Sequence, residues 1–217
     1  MNSTSLTPLE VAELLKITKN TVYELILGEC SFQESLVHTE FEGLDLIPSN
    51  VNLAGAEIEL LNIENREYVL HNEIEKVKDD YDFIIIDCPP SLNMLTVNAM
   101  TTATTVLVPI QCEYYALEGL TQLMYTINLV QERLNPLLKM EGVVFTMYDA
   151  RTNLSLQVVE NVKENLDTTI YKTIIPRNVR LAEAPSHGKP INVYDPRSTG
   201  AESYRLLAQE VIDREDD

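Results

Sequence analysis

The sequence predicts an α/β fold with a mainly parallel β-sheet and helices on both faces. Short apolar runs rich in β-branched residues alternate with longer segments whose apolar residues recur every three or four positions. This alternation indicates βαβ units, whose right-handed crossovers place helices on the two faces of a parallel sheet. The length of 217 residues is sufficient for one such domain with a hydrophobic core.

The predicted strands are short apolar runs, several of which end at a proline or an aspartate. A strand buried on both faces of a parallel sheet is continuously apolar, and proline cannot donate to a strand ladder, so it marks an end. The predicted strands are Leu44–Pro48, Phe83–Ile86, Thr105–Pro109, Glu141–Met147 and Thr169–Ile175.

The predicted helices lie between these strands and carry one apolar stripe each. In Ala116–Leu134 the apolar positions keep helical spacing until Asn135-Pro136 ends the pattern. The shorter segment Tyr68–Asp79 places Leu70, Ile74 and Val77 on one face. The other predicted helices are an N-terminal stretch, Leu53–Asn62, Asn153–Leu166 and Ala201–Asp213.

The segment from Asp82 to Ser91 carries the most information about function. Phe83–Ile86 predicts a strand buried on both faces, and Asp87 follows it directly. Open α/β sheets bind ligands at the carboxyl ends of their strands, where a carboxylate can hold Mg²⁺ through water. An ordinary buried strand whose aspartate caps the next loop fits the pattern equally well.

Charge and composition exclude several classes of function. The net charge of −18 argues against binding of nucleic acid by the chain as a whole. Residues 172–206 differ, with six basic and three acidic residues, so a local basic surface and a segment of solvated arginines are both open interpretations.

The sequence shows no membrane span, signal peptide or metal-ligand motif. No apolar run approaches the ~20 residues of a membrane span, and Met1–Pro8 lacks a signal-peptide pattern. The three cysteines and three histidines follow no metal-ligand spacing, and reduced, mostly buried thiols are expected. These features predict a cytoplasmic protein without a membrane partner.

Five ordered blocks of the chain resemble the ParA/Soj family of partitioning ATPases, a deviant-Walker P-loop group that includes MinD. The resemblance runs from about Asn20 to the C-terminus. The blocks are Leu46–Asn50 with Leu53–Glu57, Asp82–Asn93, Val108–Leu120, Thr146–Asn153 and Ile175–Pro190. It implies a P-loop NTPase-like fold, ATP and Mg²⁺ as cofactors, and a role in segregating chromosomal or plasmid DNA.

The resemblance also assigns roles to individual residues. Asp87 matches the Walker B carboxylate that serves Mg²⁺, and Pro89, Pro90 and Ser91 match the switch II region. Residues expected on the nucleotide-base side are Met147, Asp149, Pro176 and Asn178. The candidates for contact with non-specific DNA are Arg180, Lys189, Arg197 and Arg205. A ParB-like partner protein, a homodimer and association with the nucleoid are implied as well.

The chain departs from the family at the triphosphate-binding loop. None of its seven glycines is adjacent to another, none is followed by Lys-Ser or Lys-Thr, and Gly188-Lys189 is followed by Pro190. The family's switch I segment is also absent. We therefore expect an incomplete P-loop fold that lacks the P-loop strand and does not hydrolyse MgATP. Phe83–Ile86 would then face an unpaired sheet edge.

The N-terminus allows a second interpretation. Residues 1–27 are predicted to be a helical segment preceding a ParA-like domain of residues 28–217. Residues 6–26 resemble an excisionase or MerR-type helix-turn-helix, although Lys19 is the only basic residue of the expected reading helix. A non-catalytic DNA-binding regulator and a nonfunctional truncated fragment are therefore the alternatives.

Overall fold

The computed structural model describes residues 20–89, 91, 93–113, 116–166 and 168–215. Within these ranges the chain separates into two compact units. The sheet unit comprises residues 105–125 and 139–215, and the helical unit comprises residues 20–104 and 126–138.

The helical unit consists of short helices and one small hairpin. Its α-helices are α1 (Val22–Ile26), α2 (Phe32–Ser35), α3 (Leu53–Glu59), α4 (Val69–Ile74) and α5 (Met94–Thr102). Single 3₁₀ turns lie at Leu60–Asn62, Arg66–Tyr68 and Lys78–Asp80. Strands β1 (Val37–His38) and β2 (Asp45–Leu46) pair antiparallel, which leaves the predicted strand Leu44–Pro48 reduced to two residues.

Apolar residues from α1, α3 and α4 form a core of the helical unit. Ile26, Ala56, Leu60 and Leu70 are buried together there, and the half-buried Ile86 packs against them.

Asn135 holds the C-terminal end of α5. Its Nδ2 donates to three carbonyl oxygens that accept no hydrogen bond within the helix. These acceptors are Met100 and Ala103, both at 2.9 Å, and Thr101 at 3.4 Å.

The sheet unit contains the parallel sheet that the sequence predicts. The strands β3 (Thr105–Gln111), β4 (Lys139–Tyr148) and β5 (Ile170–Pro176) pair in parallel in that order. The accompanying helices are α6 (Ala116–Arg133), α7 (Asn153–Asn165), α8 (Val179–Glu183), α9 (Ile191–Tyr194) and α10 (Thr199–Glu215), with a 3₁₀ turn at Ala184–His187. Helix α6 is shared, since its residues from 126 onward belong to the helical unit.

Alternating side chains of β4 pack against helices on the two faces of this sheet. Val143 and Phe145 belong to a buried cluster that includes Leu120 of α6 and Val162 of α7. Val144, between them in sequence, belongs to a second cluster packed by residues of α8 and α10. Because neighbouring strand residues point to opposite faces, this arrangement confirms helices on both faces.

A bulge in β5 is closed by a carboxylate of α10. Phe145 pairs with Ile174 although Val143 pairs with Ile170, so β5 has extra residues in between. The backbone N–H groups of Lys172 and Thr173 donate to the carboxylate of Glu210 at 2.8 and 3.0 Å. This contact satisfies amide donors that no strand pairs.

A second irregularity lies in β4 at Gly142. Its φ of 152° is one that L-residues rarely adopt, and a Cβ there would lie 2.8 Å from the carbonyl oxygen of Thr169. The register shifts beside it, between Val106 and Leu107 of β3. Glycine is therefore required at this position for β4 to approach the start of β5.

The predicted strand Phe83–Ile86 is not formed, so this expectation was wrong. Residues 83–89 have no regular secondary structure, and the exposed fractions of Phe83 and Ile85 are 48% and 90%. Within the described ranges, no residue from 82 to 89 makes a backbone–backbone hydrogen bond. A β-strand exists only as part of a ladder, and no described strand pairs with this segment.

Candidate functional site

The predicted base-side residues lie together where β4 and β5 end. Tyr148 pairs with Pro176, and the backbone N–H of Arg177 donates to the Tyr148 carbonyl at 2.9 Å. This register brings Met147 and Asp149 to the same edge of the sheet as Pro176 and Asn178. Met147 has a φ of 54°, in the left-handed region, so the chain turns sharply as it leaves β4.

Asp149 is held by an arginine two residues further on. The Arg151 Nε and a terminal guanidinium nitrogen donate to the two carboxylate oxygens at 2.9 and 2.7 Å, and the Arg151 backbone N–H adds a bond of 3.0 Å. These side-chain and backbone hydrogen bonds hold the pKa of Asp149 well below its usual range. The carboxylate is therefore charged at neutral pH, with its guanidinium partner supplied by the same turn.

Asn178 connects the end of β5 to two helices. Its side-chain oxygen accepts from the backbone N–H of Arg180 at 2.8 Å, which caps α8, and its Nδ2 donates to Thr199 Oγ1 at 2.7 Å at the start of α10. An N-cap asparagine before a helix is recognisable from sequence. The contact with Thr199, which is 21 residues away, has no such signal.

An ion pair near the same strand ends was missed by the sequence analysis. A guanidinium nitrogen of Arg177 lies 3.2 Å from Glu113 Oε1, and both side chains are about half exposed. Glu113 lies shortly after β3 and Arg177 directly after β5, so the pair extends along the carboxyl edge of the sheet. An exposed pair of this kind contributes little stability but fixes the local charge pattern.

The predicted magnesium and switch II residues belong to the helical unit. Asp87 is exposed and follows an irregular segment rather than a strand, and Pro89 and Ser91 are exposed as well. Pro90 lies outside the described residues. Asn93 holds this region, since its Nδ2 donates to Ser91 Oγ at 3.0 Å and to Glu57 of α3, while its side-chain oxygen caps α5.

The described residues do not supply a complete donor set for a nucleoside triphosphate with magnesium. The sequence contains no glycine-rich loop followed by lysine and a hydroxyl residue. In the part of the chain that the structure describes, no three His, Cys, Asp or Glu side chains are grouped so that they could hold a metal ion. Asp87 alone supplies neither the phosphate cradle nor a second metal ligand.

Two of the four predicted DNA-contact residues have partners inside the chain. Arg180 pairs with Glu183 at 2.8 Å and with Asp195 at 3.4 Å. Arg205 pairs with Glu202 at 2.7 Å and donates to the carbonyl of Pro196 at 2.9 Å. Both arginines therefore hold the loop that carries Arg197.

The other two predicted contact residues are less engaged. Arg197 is exposed, Lys189 is half-buried, and neither side chain has an ion-pair partner among the described residues. Their charges are consequently more available to an external anion than those of Arg180 and Arg205.

The structure describes only the end of the predicted helix-turn-helix. Residues 6–19 lie outside the described ranges. Thr21 caps α1 in a capping box with Glu24, whose carboxylate accepts from the Thr21 backbone N–H at 2.7 Å. Leu25 and Ile26 are buried, so this five-residue helix presents few side chains to a DNA groove.

Known proteins resemble this chain over nearly all of its length. A family model described as an AAA domain matches residues 1–140. The sporulation initiation inhibitor protein Soj of Bacillus subtilis is 53% identical over 210 residues, which are 97% of this chain and 81% of that protein. The chromosome partitioning protein ParA of Caulobacter vibrioides is 50% identical, across 92% of this chain and 75% of its own length.

The chain belongs to the ParA/Soj family.

Solved structures show a similar fold. Cobyrinic acid a,c-diamide synthase from Mycobacterium smegmatis, crystallised with an ATP analogue and magnesium, superposes with a TM-score of 0.77 at 37% identity over 94% of this chain and 78% of that chain. The cell division ATPase MinD of Pyrococcus furiosus superposes with a TM-score of 0.74 over 96% of this chain and 82% of that chain, at 22% identity, which establishes the likeness of fold alone. No helix among the described residues of this ParA/Soj family member is long and apolar enough to cross a bilayer.

Proposed function

We propose that this chain is a partitioning protein that acts on chromosomal or plasmid DNA without hydrolysing ATP on its own. The observation that carries the proposal is the 53% identity to Soj over 97% of the chain. In this role the chain would bind a ParB-like protein, non-specific DNA and a second copy of itself. It would act at the nucleoid in the cytoplasm. The helix-turn-helix alternative has less support, because the described part of the reading helix is short and half buried.

The lack of hydrolysis follows from the sequence of the triphosphate site. Phosphoryl transfer depends almost entirely on positioning and on charge stabilisation. Removing a single electrostatic donor typically lowers the rate by ~10²–10³, and this chain lacks the whole loop, its lysine and its hydroxyl ligand. Asp87 with Pro89, Pro90 and Ser91 would then be the remnant of one wall, with Met147, Asp149, Pro176 and Asn178 as a base-side region of low affinity.

The DNA surface is best supported at Arg197 and Lys189. The structure divides the four candidates into two groups, since Arg180 and Arg205 already bind carboxylates and a carbonyl of the chain. We assign these two arginines to positioning of the 195–198 loop. Arg197 and Lys189 are assigned to the phosphate contacts, which need no base recognition.

Phosphate release tests the catalytic part of the proposal. The purified chain is incubated with ATP and Mg²⁺, and inorganic phosphate is measured beside an Asp87→Ala variant. We expect the two proteins to release phosphate at the same rate as a buffer blank. Release above the blank that disappears in Asp87→Ala would overturn the proposal.

DNA binding at several salt concentrations tests the second part. Arg197→Ala should weaken binding to all duplexes equally, whatever their sequence. It should also reduce the slope of the logarithm of the binding constant against the logarithm of salt concentration by about one. Arg133→Ala, which removes another exposed arginine, is the matched control and should change neither quantity. Equal weakening by both variants would contradict the assignment. Sequence-specific binding that is lost on deleting residues 1–27 would favour the regulator.

A further inference from the structure

The segment Phe83–Ile86, which we name the open segment, exposes apolar side chains. Ile85 is 90% exposed and Phe83 is 48% exposed, whereas Ile84 is 39% exposed and Ile86 is half-buried against the core of the helical unit. Ile85 therefore turns away from the helices and Ile86 turns towards them, as neighbouring residues do in a β-strand. The open segment is supported at Ile86 and uncovered at Ile85.

The backbone of the open segment is also available for pairing. None of its N–H or C=O groups takes part in a backbone–backbone hydrogen bond within the described ranges. The edge strand β5 provides a contrast, because the Glu210 carboxylate accepts from two of its amides. Apart from the Ile86 carbonyl, which accepts from Cys88 Sγ at 3.8 Å, no described group bonds to the backbone of the open segment. A short apolar segment of this kind is a template for another strand.

Carboxylates at both ends restrict what can pair with it. Asp79, Asp80 and Asp82 precede the open segment and Asp87 follows it, and all four side chains are exposed. In a symmetric antiparallel pairing of two copies, Asp82 of each copy would lie opposite Asp87 of the other. Like charges directly opposite each other are destabilising, so a second copy is a poor partner. Lysine or arginine at the ends of the incoming strand would match these charges.

We propose that the open segment binds an extended stretch of another polypeptide as an added β-strand, and that this stretch is apolar in the middle and basic at its ends. Backbone hydrogen bonds supply the affinity, and the uncovered side chains around Ile85 select apolar residues on alternate positions. The acidic ends set the preference for lysine and arginine. This inference shares Asp87 with the nucleotide wall proposed above, but its test uses neither DNA nor nucleotide.

The test uses the full chain and a fluorescent synthetic peptide. The peptide alternates valine and threonine in its core and carries two lysines at each end. We expect saturable binding measured by anisotropy, and slower hydrogen exchange at residues 83–86 when the peptide is bound. A peptide with glutamate in place of lysine should bind at least tenfold more weakly, and so should one with a central proline.

Two substitutions at one exposed position separate backbone pairing from non-specific adhesion. Ile85→Pro removes an amide that bonds to no described backbone group, so the fold should survive while peptide affinity falls about tenfold or more, the equivalent of one lost hydrogen bond. Ile85→Thr keeps the amide and should lower affinity by less than about threefold. Circular dichroism confirms that both variants are folded.

Three outcomes would overturn the proposal. The first is equal binding of the lysine-ended and glutamate-ended peptides. The second is equal loss of affinity in Ile85→Pro and Ile85→Thr, which would indicate adhesion through side chains alone. The third is a concentration-dependent dimer of the chain without peptide that Ile85→Pro abolishes, because the occupant would then be a second copy.

Discussion

The guanidinium carbon of Arg214 lies 3.8 Å from the centroid of the Tyr171 ring. The same guanidinium donates to Glu210 at 2.9 Å, and the Tyr171 hydroxyl donates to Glu141 at 2.8 Å. Burial and the bond to Glu141 raise the pKa of Tyr171. A chain of charged and aromatic contacts therefore connects α10 to both β4 and β5.

Glu210 should be the most important carboxylate of this network for stability. Glu210→Ala leaves the amides of Lys172 and Thr173 without an acceptor, and we expect it to lower the free energy of unfolding by about 1–3 kcal/mol. Urea titration measures the change. Glu202→Ala is the matched control on the same helix, since its exposed pair with Arg205 should contribute less than about 1 kcal/mol. Equal effects of the two substitutions would refute this account.

The contribution of Glu210 should depend on pH. Burial raises its pKa, but hydrogen bonds from Lys172, Thr173 and Arg214 outweigh burial and lower it below the ordinary 4.5. A carboxylate with a depressed folded-state pKa stabilises the protein fully above the unfolded-state pKa, and that contribution is lost as pH falls through the folded-state pKa. The stability difference between wild type and Glu210→Gln should therefore be constant near neutrality and shrink in acid. Urea midpoints at a series of pH values measure it, and a difference that grows in acid would contradict this assignment.

Asn135 should stabilise the helical unit through the end of α5. Asn135→Asp keeps the size of the side chain but removes the donors that serve Met100 and Ala103, and it places a negative charge beside those carbonyls. We expect a loss of about 1–3 kcal/mol. Amide exchange in α5 should rise more than in α7, and equal changes in the two helices would argue against a local cap.

Two glycines should respond to alanine in opposite directions. Gly142→Ala forces a rare φ and brings a Cβ within 2.8 Å of the Thr169 carbonyl, so a loss of about 1–3 kcal/mol is expected. Gly119→Ala lies within α6 with no atom near the added Cβ, and it should stabilise the chain by about 0.5–1 kcal/mol. Thermal unfolding compares the two variants, and a shift of the same sign in both would show that the steric argument fails.

The longer elements of the sheet unit could be predicted to within a few residues. Helix α6 spans Ala116–Arg133 where Ala116–Leu134 was expected, and β4 spans Lys139–Tyr148 where Glu141–Met147 was expected. These elements form because one face of each is buried, and a buried face leaves a periodic apolar pattern in the sequence. The pattern at Phe83–Ile86 was as strong, but a strand also needs a neighbour, which sequence composition does not encode.

The family resemblance, rather than the residue pattern, grouped Met147 and Asp149 with Pro176 and Asn178. The structure brings these residues to one edge of the sheet, because parallel strands end at a common edge. Their role at a nucleotide base stays a prediction. The internal partners of Arg180 and Arg205 were less predictable. Glu183 and Glu202 lie three residues away on a helix, but Asp195 and the Pro196 carbonyl are reached only through the fold.

The carboxylate of Glu210 ties the bulge of the edge strand β5 to α10. Amides of an edge strand that lack partners are a template for pairing between copies of a chain. While α10 is in place, two amides of β5 are unavailable to another chain. Detachment of α10 would therefore expose them and favour aggregation.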